Sequence, residues 1–272
     1  MQPETRPAPT PAAPRRGRLR RLLKPVVWLV CAAAVYVLGS CAWYLLFPDV
    51  AGLAKANPKT TAFMEYRLAQ WKEQGRGMSV RQQWVPLSAI SPALVSAVLI
   101  GEDDKFYAHE GFDFEAIAEA LEKNLSKRRI AAGASTITQQ LAKNLFLSPD
   151  KNPLRKLREA ILTWRIERNL KKRRILEIYL NVAEWGDGIF GIEAASRKYY
   201  GKPARDLDAR QAARLAAVLP NPIRFNPLGS SRFVEYRASV ILKVMARRGV
   251  AGAGEDEGLA EWTREQPDPE GR

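Results

Sequence analysis

The sequence has few of the residues on which metal and thiol chemistry depends: one histidine, His109, and two cysteines among 272 residues. A single histidine excludes zinc sites built from several histidines, and two cysteines exclude sites built from several thiolates. Cys31 and Cys41 lie in the most apolar stretch of the chain, where a helix would separate them by about 15 Å along its axis. They therefore cannot form a disulfide with each other, and they do not reveal the redox compartment.

Several familiar catalytic patterns are also missing. The sequence contains no G-x-S-x-G nucleophile elbow, no P-loop and no G-x-G-x-x-G motif. The S-x-x-K pattern of penicillin-binding acyl enzymes occurs at 148–151, but the companion K-T-G and S-D-N motifs are absent, so we interpret it as a chance match. The side chains that remain are carboxylates, amides, hydroxyls and cations, which suit sugar transfer and the binding of phosphate groups.

The charge is strongly positive and unevenly distributed. The formal net charge is +14, which predicts an anionic partner: nucleic acid, a membrane surface or a phosphorylated substrate. Residues 151–174 carry ten Lys and Arg against two acids, whereas the last 22 residues are acidic. A basic middle with an acidic end indicates a localised site rather than a uniformly basic surface.

Residues 26–47 form an uncharged apolar run of 22 residues, and a membrane-spanning helix needs roughly 20. Trp28, Trp43 and Tyr44 lie near its ends, as interfacial aromatic residues do, and six basic residues precede it between positions 15 and 24. The positive-inside rule then predicts a cytoplasmic N-terminus and an exported domain after Pro48. Export argues against nucleic acid as the partner.

Two other interpretations of this run are a cleaved signal peptide and a lipoprotein processing site. A signal peptide has a shorter apolar region and an A-x-A-like cleavage site, and neither feature is present. Residues 38–41 loosely resemble a lipoprotein site, but the apolar run continues beyond them to Phe47. We therefore predict an uncleaved transmembrane helix.

The chain divides by composition into five predicted segments. They are a disordered basic cytoplasmic tail (1–24), the transmembrane helix (26–47), a connector that returns the catalytic domain to the membrane (48–90), a helical domain (91–249) and a disordered acidic tail (250–272). Helices are predicted at 60–71, 91–100, 114–125, 136–146, 153–166, 171–179, 189–199, 208–218 and 233–248. No strand alternation persists, so the predicted fold class is mainly α.

The first candidate constellation is 101–113, which follows an apolar helix that should be buried. Glu102 and Asp103 would emerge where that helix breaks, and a carboxylate at the edge of a core can have its pKa raised towards that of a useful base. The alternative is a helix C-terminus with solvated acids.

Two further constellations carry amides and cations. Ser135 could cap a helix and expose backbone N–H groups to an anion, with Gln140 and Lys143 on one face of that helix. The alternative is an ordinary capped polar helix. Arg155 and Glu159 are four residues apart and share a helix face, and the alternative there is a routine salt bridge on a solvated surface.

Together these stretches resemble family 51 glycosyltransferases, specifically the monofunctional biosynthetic peptidoglycan transglycosylases. The matching signatures, in the family's order, are E-D-x-x-F-x-x-H-x-G (102–111), G-x-S-T-I-T-Q-Q (133–140), L-x-K-N-L-F (141–146), R-K-x-x-E (155–159), R-R-I-L-E-x-Y-L-N (173–181), and G-I-x-A-A with Y-Y-G-K (191–202). The resemblance covers roughly 80–248. Ala134 is a minor departure, because many members have glycine there.

The resemblance implies a lysozyme-like, mainly α glycosyltransferase domain with a smaller membrane-proximal lobe, in addition to the N-terminal transmembrane helix. It implies that the substrate is lipid II, that the growing glycan strand is the donor, and that the enzyme acts at the bacterial inner membrane with its catalytic domain in the periplasm. The expected partners are therefore lipid II, the glycan strand, membrane lipids and other cell-wall synthesis or division proteins, but no nucleic acid.

The resemblance also assigns roles to residues. Glu102 would be the general base of an inverting transfer, and Glu159 would orient the cations or hold a divalent cation, Mg²⁺ or Mn²⁺, at the pyrophosphate. No other cofactor and no dedicated metal ligand is expected. The expected substrate-binding residues are Asp103, Phe106, His109, Ser135, Thr136, Gln140, Lys143, Arg155 and Lys156. Among them Lys143, Arg155 and Lys156 would meet the pyrophosphate, while Phe106 and His109 would shape the site rather than react.

Two alternative functions stay open at this point. A lytic muramidase would share the fold but would cleave existing cell wall instead of building strands. A membrane scaffold that only binds lipid II would not depend on Glu102.

Overall fold

The computed structural model describes residues 16–126, 133–149, 153–250 and 252. Within these residues the fold is mainly α, as predicted, with ten α-helices and three short strands. The helices are α1 (Arg16–Leu46), α2 (Ala62–Glu73), α3 (Pro92–Glu102), α4 (Phe114–Ser126), α5 (Ile137–Phe146), α6 (Pro153–Asn169), α7 (Lys172–Val182), α8 (Ile192–Tyr200), α9 (Ala209–Val218) and α10 (Arg232–Arg247). The strands are β1 (Arg81–Gln82), β2 (Glu184–Gly186) and β3 (Ile189–Phe190).

Helix α1 contains the apolar run. The candidate membrane span, Lys24–Ala54, includes most of α1 and has a mean hydropathy of 2.0. It is long and apolar enough to cross a membrane. Residues 1–43 and 44–272 form two compact units. The predicted disordered tail at 1–24 is wrong from Arg16 onward, because α1 already begins there. Residues 1–15 and most of 250–272 lie outside the described residues, so disorder in those segments stays a prediction.

The core of the second unit surrounds the apolar helix α3, which packs against α9 and α10. Leu94, Ala97 and Val98 on α3 are completely buried. Ala213 and Ala216 on α9 are also completely buried, and such small side chains let two helix backbones approach closely. A second group of helices forms around α5, which packs against α2, α6 and α7. The C-terminal end of α3 therefore emerges at the edge of a dense core.

The segment predicted as a connector, 48–90, belongs to this core. Leu53, Met64 and Trp71 are buried, and Trp71 is among the largest fully buried side chains. The segment also supplies β1, which pairs parallel with β3, while β2 pairs antiparallel with β3. The segment predicted as a connector with a short helix at 60–71 therefore contains that helix, α2, and also contributes buried apolar residues to the core of the domain.

The strands were missed because each has only two or three residues, too few to show an alternating pattern. The predicted helix at 189–199 begins later, at Ile192, since β3 occupies its first residues. Gly191 makes this change of direction possible. Its φ is +80°, and an added Cβ would lie 2.6 Å from the carbonyl oxygen of Asn181.

Candidate active site

Glu102 is the last residue of α3, where the chain leaves the helix because Asp103 has extended backbone. Its side chain is only 8% exposed. Burial raises the pKa of the Glu102 carboxyl, and the nearby Arg237, Gln140 and Lys143 partly offset this rise. The expectation of a partly desolvated carboxylate at the edge of the core therefore fits the geometry, whereas a solvated helix C-terminus does not.

Side chains from two different helices, α5 and α10, donate hydrogen bonds to the Glu102 carboxylate. Gln140 Nε2 on α5 donates to Oε2 at 2.9 Å, and Arg237 Nη2 on α10 donates to Oε1 at 2.8 Å. The hydroxyl of Tyr179 donates to Gln140 Oε1 at 3.0 Å, which fixes the orientation of the Gln140 amide. Both oxygens of the carboxylate are thus oriented by neutral or positive donors.

Sequence reasoning missed Arg237 and gave Tyr179 no role. Tyr179 lies inside one of the quoted motifs, so its position was available as a signal. Arg237 lies on an amphipathic helix that carries several other basic residues, and nothing in its local pattern distinguishes it. Only the packing of α10 against α3 brings it to the carboxylate.

Asp103 and His109 connect the loop after α3 to the start of α5. Asp103 is 8% exposed, its Oδ2 accepts from the backbone N–H of Ile137 at 2.9 Å, and its Oδ1 lies 2.9 Å from His109 Nε2. The backbone N–H of Gly111 donates to His109 Nδ1 at 3.1 Å, so Nε2 carries the proton and donates to Asp103. These contacts give Asp103 a structural role, and because it also lines a cavity with Glu102, its contact with substrate stays a prediction.

Phe106 was expected among the substrate-binding residues, where it would shape the site rather than react, and its contact with substrate stays a prediction. Its side chain is completely buried, with the ring edge-to-face with that of His109 at 6.4 Å. The Lys172 ammonium lies 4.5 Å from the Phe106 ring centroid. Phe106 therefore supports the loop after Glu102 from within.

The cap of α5 is Thr136, not Ser135 as predicted. The Thr136 hydroxyl accepts from the backbone N–H of Gln139, and the Gln139 side chain accepts from the backbone N–H of Thr136, which forms a capping box. The Thr136 hydroxyl also donates to the carbonyl of Gly111 at 2.7 Å. Thr136 is thus occupied within the protein, while Ser135 is exposed and free to meet a ligand.

Glu159 on α6 is buried, with only 3% of its surface exposed, so the alternative of a routine surface salt bridge is wrong. Arg155 Nη1 donates to its Oε2 at 3.2 Å, and Lys156 Nζ donates to its Oε1. Lys143 on α5 joins this group electrostatically. Burial lowers the pKa of the Lys143 amine, while Glu159 and, more weakly, Glu102 raise it. The pKa of Lys143 therefore depends on both Glu159 and Glu102.

The described residues contain no cluster of three or more His, Cys, Asp or Glu side chains that could hold a metal ion. Glu159 already accepts from two cations. The described side chains around Glu159 therefore do not form a complete metal-binding site. A divalent cation there would need oxygen atoms from a bound ligand to complete its coordination.

Two cavities involve Glu102 or its hydrogen-bond partner Gln140. The first, of about 270 Å³, is lined by Glu102, Ser135 and Thr136 and by the acids Asp104, Asp113 and Glu119. The second, of about 230 Å³, is lined by Gln140 and Lys143 and also by Phe63, Arg67, Asn144, Tyr179, Glu184 and residues 219–223. Glu102 thus lines a cavity rich in acids, while its partner Gln140 lines a second cavity that contains the cations Arg67 and Lys143.

Helix α4 has an exposed apolar face, in which only Phe114 has a described ring contact, with Phe112 at 6.1 Å between ring centroids. Four large side chains on one face are exposed, and the helix has no buried residue. They are Phe114, Ile117, Leu121 and Leu125. Such a stripe on an amphipathic helix is typical of a surface that meets a membrane or another protein.

The comparisons with known proteins agree on one family. The transglycosylase family model matches residues 69–246, a range that begins inside the segment predicted as a connector. A biosynthetic peptidoglycan transglycosylase from Nitrosospira multiformis is 50% identical over 194 residues, which cover 71% of this chain and 84% of the relative. One from Azoarcus sp. is 53% identical over 180 residues, which cover 66% and 78% respectively.

Among solved structures, penicillin-binding protein 1A from Haemophilus influenzae aligns at 18% identity and a TM-score of 0.34, over 69% of this chain and 18% of that one. The family model spans more than half of the chain, and the relatives share about half of their residues with it over most of their own length. The chain therefore belongs to the transglycosylase family of glycosyl-transferring enzymes.

Proposed function

We propose that this enzyme polymerises lipid II into β-1,4-linked peptidoglycan strands and releases undecaprenyl pyrophosphate. The observation that carries the proposal is the Glu102 carboxylate, which is buried, has a raised pKa, lines a cavity, and is held by Arg237 and Gln140. The relatives named biosynthetic peptidoglycan transglycosylase support the substrate class.

In the proposed reaction, Glu102 takes the proton from the 4-hydroxyl of the acceptor lipid II. The acceptor oxygen then forms a bond to C1 of the donor sugar while the bond from C1 to the pyrophosphate oxygen breaks. Attack opposite the leaving group inverts the configuration at C1, so one base suffices and no covalent sugar intermediate forms. Desolvation suits Glu102 to this role, because a carboxylate with a raised pKa is a stronger base.

The departing pyrophosphate is anionic and needs positive charge more than it needs an acid. We propose that Lys143, which lines the second cavity, supplies that charge together with Arg155 and Lys156, which are close enough to lower its pKa. Glu159 accepts from Arg155 and Lys156 and keeps both head groups on the same side of α6. We propose that the donor strand occupies the second cavity for this reason, and that the acceptor enters through the first, which is lined by acids and Ser135.

The membrane placement follows from two features of the chain. Helix α1 is long and apolar enough to span a bilayer, and basic residues precede it. We propose that the N-terminus is cytoplasmic and that the domain after Pro48 acts in the periplasm at the bacterial inner membrane. The exposed apolar face of α4 would then contact the outer leaflet, where the lipid tail of the substrate lies.

The deciding experiment incubates purified full-length protein with labelled lipid II and separates the products on a gel. The wild type should produce long strands, and Glu102→Gln should reduce the rate by about 10²-fold or more because the base is lost. Glu65→Gln, which changes an exposed glutamate on α2, is the matched control and should retain the wild-type rate.

Other outcomes would favour the alternatives. Cleavage of isolated sacculi without strand synthesis would indicate a muramidase. Near-native polymerisation by Glu102→Gln would overturn the base assignment. If the wild type bound lipid II but made no polymer, and if Glu102→Gln bound it equally well, the chain would be a scaffold.

A further inference from the structure

The second cavity contains a buried ion pair that the proposed mechanism does not use. Arg67 on α2 donates to Glu184 Oε2 on β2 through Nε at 3.1 Å and Nη2 at 2.9 Å. The side chains are 12% and 3% exposed, respectively, and both line the cavity together with Gln140 and Lys143. Burying such a pair is costly unless its remaining hydrogen-bonding groups are used.

The pair has hydrogen-bonding capacity to spare. A guanidinium has five N–H groups, and among the described residues three are used: two by Glu184 and one by Gln70 Oε1 at 2.7 Å. Glu184 Oε1 accepts only from the backbone N–H of Gly188 at 3.4 Å, a long contact. The pair therefore offers both donors and an acceptor while carrying no net charge.

The side chains around the Arg67–Glu184 pair indicate which class of ligand it would bind. The Phe63 ring lies 5.2 Å below the Arg67 guanidinium and also lines the cavity, where it offers an apolar surface. Asn144 lines the same space and adds an amide. A carboxylate ligand would meet the negative Glu184, whereas hydroxyl and acetamido groups can use the donors and the acceptor together. These groups are those of an N-acetylated sugar ring.

The position of the pair fits a sugar that is bound next to the reacting one. Gln140 lines the cavity and donates to Glu102, so only one side chain separates this space from the base. Arg67 also lies two residues before the family match begins at 69, outside every motif that identifies the family. Its role therefore has to be read from the structure of this chain.

We propose that Arg67 and Glu184 form a subsite for the growing strand, in which they bind hydroxyl and acetamido groups of a donor sugar beyond the reacting one. This inference rests on the proposed function. Because the contact is the same in the ground state and in the transition state, it contributes to binding rather than to the chemical step.

The test compares steady-state kinetics of the full chain with those of the double variant Arg67→Gln/Glu184→Gln. Removing both charges avoids leaving one of them buried and unpaired. We expect KM for lipid II to rise about tenfold, since charge-assisted hydrogen bonds are lost, while kcat stays within about twofold. Product strands should also be shorter, because a strand that is held less tightly dissociates sooner.

The matched control is Arg76→Gln/Asp187→Asn. This ion pair also joins the segment after α2 to the β2–β3 turn, but its side chains are 42% and 32% exposed and neither lines the cavity. It should leave KM and strand length unchanged. Arg67→Lys is a milder second variant that keeps the ion pair and loses the planar fork, so KM should still rise measurably if the double variant proves unstable.

The outcomes separate this inference from the proposed function. A wild type that makes no strands from lipid II would overturn both. The subsite alone would be overturned if the wild type polymerises lipid II and the variants have nearly the same KM. That outcome requires the KM of Arg67→Lys, and of the double variant if it folds, to lie within about twofold of the wild-type KM. A defect that disappears with lipid-linked disaccharide lacking the peptide would mean that the pair binds the peptide instead, and would overturn the sugar assignment.

Discussion

Arg237 donates to the Glu102 carboxylate at 2.8 Å, although the two residues are 135 positions apart and lie on different helices. The same guanidinium nitrogen donates to the carbonyl of Gly101. One side chain therefore binds both the backbone at the end of α3 and the carboxylate of Glu102, its last residue. Arg237 lowers the pKa of the Glu102 carboxyl against the larger effect of burial. It thereby orients the base and limits how far its basicity rises.

Replacing Arg237 should move the acid limb of the pH–rate profile. In Arg237→Gln the positive charge that lowers the Glu102 pKa is gone, so that pKa rises further and the base is protonated at a higher pH. The acid limb of kcat/KM should shift to higher pH, with a loss of about tenfold or more at neutral pH. Lys243→Gln, at an exposed position on α10, is the control. An unshifted acid limb in Arg237→Gln would show that Arg237 has no influence on the base.

Glu102→Gln should raise stability while it abolishes activity. Burial raises the folded-state pKa of Glu102 above its ordinary value of 4.5, so the folded protein binds its proton more tightly than the unfolded chain does. The buried charge therefore costs stability above the folded pKa, and the cost is relieved as the pH falls towards 4.5. The melting temperature of the variant should exceed that of the wild type at neutral pH, and the gap should narrow on acidification. A variant that is less stable at neutral pH would mean that the bonds from Arg237 and Gln140 outweigh desolvation.

Glu159→Gln should shift the alkaline limb. Glu159 raises the pKa of the Lys143 amine, so its removal lets that pKa fall further and the amine loses its proton at a lower pH. If protonated Lys143 stabilises the leaving pyrophosphate, the alkaline limb of kcat should move to lower pH, and added Mg²⁺ or Mn²⁺ should change the size of the defect. Activity equal to that of the wild type at every pH and every metal concentration would exclude the proposed role. Glu235→Gln, on α10, provides a control for the loss of one negative charge.

His109→Phe should weaken the fold without altering the chemistry. The variant loses the hydrogen bond to Asp103 and leaves that carboxylate with one partner fewer, which should cost about 1–3 kcal/mol of unfolding free energy. Because His109 does not touch Glu102, both limbs of the pH–rate profile should stay in place in protein that remains folded. Denaturant unfolding together with the pH profile checks both parts. A shifted limb would show that His109 takes part in proton transfer.

Local sequence determined much of the helical framework. The apolar run that forms α1, the Ser91-Pro92 start of α3 and the bounds of α4 and α9 follow from side-chain periodicity and capping residues, because a helix depends on neighbours three and four positions apart. The predicted N-cap of α5 was wrong by one residue. Ser135 and Thr136 both carry a hydroxyl that can cap a helix, and only the reciprocal hydrogen bonds between Thr136 and Gln139 distinguish them.

Tertiary structure decided what each polar side chain does. Glu102 and Asp103 are adjacent acids that line the same cavity, yet packing gives them different partners. Glu102 accepts from Gln140 and Arg237, whereas Asp103 accepts from the backbone N–H of Ile137 at the N-terminus of α5. Phe106 became a core residue, Arg237 reached Glu102, and Arg67 met Glu184 across 117 positions. Burial, and the pairing of groups far apart in the chain, are set by how the helices pack, and the periodicity of a single helix carries no information about that packing.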